Sequence, residues 1–151
     1  MSVQKDFERI LEYAHFWNWC PDWGIVRQIY VTFPDSYSVL TPFAYTYLEE
    51  LIRSMTSNYG RVCKDDSGNL NRKIVGRALV ELAIDENRIN KPELAILLEK
   101  SIEHFSYSLP EDTGDNRNSV LHGYMHPRFW DKTSFENLIE EIAELSVFAG
   151  F

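Results

Sequence analysis

The sequence predicts an all-α fold, a single helical bundle spanning residues 1–151. Apolar residues recur at helical spacing in several segments, beginning with residues 3–16. Pro42 and Pro92 stand where two of these helices are expected to begin, because proline is favoured in the first turn. No linker or internal repeat divides the chain, and 151 residues are enough to bury one hydrophobic core. We therefore expect one domain, in which the helices pack around a shared core.

The remaining helices are predicted from the apolar pattern and from the residues that favour helix starts and ends. Thr41 offers a capping hydroxyl before Pro42, and the apolar stripe that follows ends at Gly60. The sequence Thr133-Ser134-Phe135-Glu136 has the form of a capping box, which predicts the start of the last helix. Three more helices are expected over residues 73–88, from Lys91-Pro92 onwards, and over residues 115–122.

Two segments leave alternatives open. Residues 24–33 would suit a short buried helix, an irregular segment or a strand; helix is favoured because no other segment offers a partner strand. Trp17, Trp19 and Trp23 form a cluster that could stack nucleobases, but such clusters more commonly fill a core or an interface. We expect core or interface.

Composition indicates a packed globule. Hydrophobic residues make up 44% and aromatic residues 14% of the chain, which argues against disorder. No apolar run approaches the length of a membrane span, and the N terminus opens into a helical pattern without a signal peptide. Cys20 and Cys63 lack metal-ligand spacing and are expected to be reduced thiols. A cytoplasmic protein without membrane association and without a cofactor is expected.

The charge is acidic but unevenly distributed. A net charge of −8 argues against unspecific binding to nucleic acids. Residues 53–77 nevertheless carry six basic side chains, whereas residues 131–151 are acidic. The basic segment is either a set of solvated helix faces or a track for a polyanion, and the acidic tail could attract a basic partner. Glu49 and Glu50 could flank a site, but a solvated helix face explains them more simply.

The densest functional signal lies between Asp115 and Pro127. Asn118 and His122 are four residues apart and would share one face of a short helix, with Arg117 beside them. Gly123 suits the left-handed residue just past a helix end, so His122 would fall on the last turn, where the helix dipole favours an imidazolium. A titrating histidine beside a cation and an amide suits a phosphodiester substrate.

Arg117-Asn118, three intervening residues and His122-Gly123 together resemble the Arg-x4-6-His signature of HEPN domains, in which a polar residue commonly follows the arginine. The resemblance covers about residues 115–148. It implies a small helical bundle, usually a homodimer, whose active members are metal-independent endoribonucleases. Many relatives belong to toxin–antitoxin, abortive-infection or CRISPR-linked systems, which implies RNA and an antitoxin or other protein as partners. Arg9 and His15 also fit the spacing but lack this context.

The resemblance assigns roles to three residues. His122 would act as acid or base, Arg117 would hold the phosphate, and Asn118 would orient the imidazole or the substrate. Because each chain offers one such histidine, a dimer that brings two copies into one cleft is expected.

The loop that follows supplies the candidate substrate-binding residues Tyr124, His126 and Arg128. No metal site is expected, since His122 and His126 have no third ligand at a useful spacing and Gly123 interrupts them. The alternative is a non-catalytic interaction or scaffolding module, in which Arg117, Asn118 and His122 are structural.

Overall fold

Helices account for all the regular structure that is described, which confirms the all-α prediction. The computed structural model describes residues 2–60, 67–69, 73–123 and 125–151, and within these ranges it contains no strand. The α helices of the described chain are α1 Val3–Tyr13, α2 Cys20–Thr32, α3 Tyr37–Ser54, α4 Gly76–Asn87, α5 Pro92–Ser101, α6 Arg117–Leu121 and α7 Lys132–Ser146. Short 3-10 helices cover Pro34–Ser36, Ile102–Phe105 and Pro127–Phe129.

Helix α3 lies at the centre of the bundle. It packs against α7, α4 and the short α6, while α1 packs against α7 and α2, and α4 against α5. Tyr45, Tyr47, Leu48, Leu51 and Ile52 of α3 are all fully buried. The motif helix α6 therefore lies directly against the most buried element of the fold.

The start of α3 differs from the prediction. The helix begins at Tyr37, so Pro42 lies inside it and Thr41 is not its cap. The Thr41 hydroxyl instead donates to the Tyr37 carbonyl at 2.7 Å. Leu40 is buried in the core, and this packing favours an additional turn before the proline, which is tolerated close to a helix N terminus.

The start of α7 also differs from the prediction. Its cap is Asp131, whose Oδ1 accepts a hydrogen bond from the Ser134 backbone N–H at 2.6 Å. The expected capping box at Thr133 is therefore wrong by two residues. Aspartate and threonine are both favourable caps, so the sequence alone did not choose between them.

Residues 24–32 are helical, within α2, Phe33 follows the end of that helix, and the strand alternative is wrong. The three tryptophans of the cluster differ in their burial. Trp23 is completely buried and packs edge-on against Phe43, Trp19 is half-buried, and Trp17 is exposed. The core interpretation therefore holds for Trp23 and Trp19 within this chain and not for Trp17.

Among the described residues, no helix combines the length and the apolar character needed to cross a lipid bilayer.

Candidate functional site

The motif helix α6 is held by its N-terminal cap. Asn116 is buried, and its Oδ1 accepts the backbone N–H of Asn118 at 2.8 Å. Its Nδ2 donates to Ser106 Oγ at 2.9 Å and to the Tyr107 carbonyl at 3.1 Å. At the other end Gly123 has φ +64°, as expected for the residue after a helix end. A helix of only five residues is thus fixed by tertiary contacts rather than by its own length.

Arg117 forms an ion pair with Glu49 of α3. Its Nε lies 3.0 Å from Glu49 Oε2, its Nη2 contacts the same oxygen, and its Nη1 donates to Asn118 Oδ1 at 3.1 Å. The second oxygen of Glu49 accepts the Gly76 backbone N–H at 2.8 Å. Glu49 is buried, so its interpretation as part of a solvated helix face is wrong. This carboxylate joins α3, α4 and α6.

Asn118 and His122 occupy different environments. The Asn118 side chain donates from Nδ2 to the Ser106 carbonyl at 2.8 Å. His122 is exposed and follows the last residue of α6, with its backbone N–H bonded to the Asn118 carbonyl at 3.0 Å. The two residues are therefore one helical turn apart, as predicted. Asn118 is anchored at its side chain, whereas the imidazole of His122 faces solvent.

Two pockets flank the motif helix. A pocket of about 270 Å³ is lined by Arg117 together with Trp19, Thr46, Glu49, Glu50, Arg53, Val75 and Leu121. A second, of about 390 Å³, is lined by Arg77, Phe105, Ser106, Tyr107 and Asn118. Arg117 and Asn118, neighbours in sequence, thus border different pockets.

The candidate substrate-binding residues are not brought to Arg117 by any described contact. His126 and Arg128 are exposed in and next to the 3-10 helix Pro127–Phe129. Among the described residues, no hydrogen bond or ion pair joins either of them to the three motif residues. Tyr124 lies outside the described residues.

The basic segment is only partly a surface feature. Arg53 is buried, and its guanidinium binds Glu50 and the Ile74 carbonyl, the latter at 2.8 Å. Lys73 and Arg77 are exposed, and Arg77 pairs with Glu81 at 3.0 Å. The other three basic residues of the segment, Arg61, Lys64 and Arg72, lie outside the described residues. Arg53 therefore does not belong to a basic track on the surface.

A second polar network holds the chain just before the motif. His104 places Nδ1 2.7 Å from the Asp115 carbonyl and Nε2 3.0 Å from Glu141 of α7. Glu141 also accepts from the Ser101 hydroxyl, and the Tyr45 hydroxyl lies 3.1 Å from His104 Nδ1. His104 is largely buried, with 15% of its side chain exposed.

The protonation of this network follows from its contacts. Burial alone would lower the pKa of His104, but the hydrogen bond and charge of Glu141, with the Asp115 carbonyl, raise that pKa above its ordinary value. Burial alone would raise the pKa of Glu141, but His104 and Ser101 lower it. The pair is therefore an imidazolium and a carboxylate, each hydrogen-bonded to the other.

Comparisons with protein-family models, with curated proteins and with solved structures give no match to this chain.

Proposed function

We propose that this protein is a metal-independent endoribonuclease of the HEPN type, acting in the cytoplasm in a defence or toxin–antitoxin role. The observation that supports this best is the arrangement of α6. Arg117 and Asn118 are fixed by Glu49 and Ser106, while His122 is exposed one turn further on. A positioned cation beside an accessible imidazole suits catalysis at a phosphodiester.

The proposed reaction uses the nucleophile that RNA carries. The 2′-oxygen attacks the phosphorus, a base takes the 2′-hydroxyl proton, and an acid protonates the 5′-oxygen as the P–O5′ bond breaks. The product would be a 2′,3′-cyclic phosphate. An arginine has five N–H donors, of which the contacts with Glu49 and Asn118 use three. The other two, on the terminal nitrogens of Arg117, are the ones we assign to the phosphate.

A homodimer completes this mechanism, because one imidazole per chain cannot readily serve as acid and base in the same step. Two chains related by a two-fold axis would bring two copies of His122 to one cleft. We expect a dimeric mass in sedimentation experiments at micromolar concentration. A strictly monomeric protein that cuts RNA would contradict this arrangement.

The central test is His122→Ala. Because general acid–base catalysis typically contributes at least about a hundredfold, cleavage of RNA should fall by at least that factor. The melting temperature should stay within about 2 °C, since an exposed residue at a helix end adds little packing. Arg117→Lys should also reduce cleavage strongly, because an ammonium lacks the planar fork of donors. Addition of a chelator should leave the rate unchanged.

The comparison variant is His126→Ala, which removes a second exposed histidine four residues further along and a candidate substrate-binding side chain. If His122 alone carries the proton transfer, His126→Ala should affect RNA binding at most, and the cleavage rate at saturating RNA should be retained. Full cleavage by the His122→Ala protein would end the catalytic assignment.

A second candidate function is a non-catalytic interaction or scaffolding module that binds another protein. It is favoured by the ion pair of Arg117 with Glu49 and by the bond from Asn118 to Ser106, both of which serve to hold α6. Under this function no RNA would be cleaved by the wild type, and the effects of Arg117→Lys would be confined to stability and partner binding.

A further inference from the structure

Because Arg117 is already paired with Glu49, binding of the proposed substrate requires a second cation. Glu49 lies within hydrogen-bond distance of two nitrogens of the Arg117 guanidinium and largely neutralises its charge. A phosphate arriving at α6 therefore meets a weaker positive field than the sequence suggests. The pocket on the Asn118 side of the helix is bordered by another arginine, Arg77.

Arg77 is suited to bind a phosphate. It lies in the first turn of α4, its side chain is 56% exposed, and its pairing with Glu81 is a surface contact between residues one turn apart. Such a pair contributes little free energy, so a phosphate can compete for the guanidinium. Among the residues that the structure describes, no buried carboxylate holds Arg77 in the way that Glu49 holds Arg117.

Tyr107 lines the same pocket and offers an aromatic face. It is 93% exposed, yet its backbone is anchored because its carbonyl accepts a hydrogen bond from the buried Asn116 at 3.1 Å. Exposed aromatic rings beside cations are the common means by which proteins bind unpaired nucleobases. A base in a duplex is already stacked on both faces and cannot use such a ring.

We infer that the pocket lined by Arg77, Tyr107 and Asn118 binds one nucleotide of single-stranded RNA, with its phosphate on Arg77 and its base stacked on Tyr107. This inference rests on the proposed function and names its substrate class. Asn118 borders the pocket and belongs to the motif, so a nucleotide seated here would place the adjoining phosphodiester next to α6.

The test measures binding separately from cleavage. The probe is a fluorescein-labelled ten-nucleotide oligoadenylate with 2′-O-methyl groups, which lacks the nucleophilic hydroxyl, and binding is followed by anisotropy at low salt. Tyr107→Ala should weaken binding roughly tenfold, whereas Tyr107→Phe should retain it, because phenylalanine keeps the stacking face. Arg77→Gln should weaken binding and reduce the slope of log K against log salt by about 0.7, the value for one phosphate contact on a single strand.

The control is Arg88→Gln, which removes a similarly exposed arginine that pairs with Glu99. This variant should bind the oligonucleotide as the wild type does. A duplex of the same length should bind more weakly and without dependence on Tyr107. Three results would overturn the inference. The wild type could fail to bind the probe, Arg88→Gln could weaken binding as much as Arg77→Gln does, or binding could be unchanged in both Tyr107→Ala and Arg77→Gln.

The outcomes also separate this inference from the proposed function. If RNA is not cleaved but the probe binds in a manner that depends on Tyr107 and Arg77, the nucleotide site stands and the ribonuclease proposal fails. If cleavage depends on His122 but binding of the probe is the same without Tyr107 or Arg77, the ribonuclease proposal stands and the pocket assignment fails.

Discussion

Replacing Glu49 with alanine is expected to lower the free energy of unfolding by about 3–5 kcal/mol. The carboxylate is buried, and its loss leaves Arg117 without a counter-ion in a site where only 17% of the arginine side chain is exposed. The Gly76 backbone N–H loses its acceptor in the same step. An uncompensated charge and an unsatisfied donor therefore add to the loss of packing.

Urea denaturation of a short series of variants would measure this loss in the free energy of unfolding. Glu49→Gln keeps an acceptor for Gly76 but removes the charge, so it should cost less than Glu49→Ala. Arg117→Met combined with Glu49→Ala should recover part of the stability, because the double variant buries no unpaired charge. Glu8→Gln, at an exposed pair with Arg27, is the control and should change stability by less than about 1 kcal/mol. A Glu49→Ala protein as stable as this control would contradict the central role of the ion pair.

The same variants bear on function. If Arg117 binds the phosphate, it must do so while paired with Glu49, and the double variant should be stable but inactive. If the ion pair is only structural, the double variant should retain whatever partner binding the wild type has. Stability and activity are therefore expected to separate in the double variant.

The motif helix was predictable because its signals are local. Asn118 and His122 lie one turn apart, and Gly123 takes the left-handed conformation just past the end of the helix, as the sequence indicated. The residues at a helix end determine where the helix stops, with little influence from distant parts of the chain. The resemblance to HEPN domains rests on these same residues.

The partners of the motif were not predicted, because they come from distant parts of the chain. Glu49 follows Tyr45 by four residues and precedes Ile52 by three, which places it on the buried stripe of α3. A carboxylate in such a stripe signals a buried partner, and the simpler interpretation as a solvated face overlooked this. The sequence could not have shown that the partner is Arg117, since pairing across 68 residues depends on how the helices pack.

Packing likewise decided the details of the fold that the sequence missed. Pro42 lies inside α3 because burial of Leu40 extends the helix on its N-terminal side. Trp17 and Trp23 belong to one aromatic cluster in the sequence, yet Trp23 lies on the side of α2 that meets the core, whereas Trp17 precedes that helix and is exposed. Propensities and caps give the type of an element more reliably than its first residue.

The stability of the His104–Glu141 pair should depend on pH in a defined direction. The raised pKa of His104 means that its stabilising contribution is complete below its ordinary pKa of 6.5 and is lost as the pH rises through the raised value. The lowered pKa of Glu141 means that its contribution is complete above 4.5 and is lost as the pH falls through the lowered value. The pair therefore stabilises the fold most between pH 4.5 and pH 6.5, the two ordinary pKa values.

Glu141→Gln should weaken the preference of His104 for the charged form. Without the carboxylate, burial, which lowers the pKa of His104, is opposed only by Asp115, so this pKa should fall and the stability lost by the variant should shrink as the pH rises above 6.5. We expect a loss of about 3 kcal/mol relative to the wild type near pH 5 and a smaller loss near pH 8. Urea midpoints measured at both values would show this. Glu144→Gln, at a more exposed position on the same helix, should show little difference at either pH. A loss in Glu141→Gln that does not change with pH would mean that His104 is uncharged in the folded protein, and that the segment before α6 is held without an ion pair.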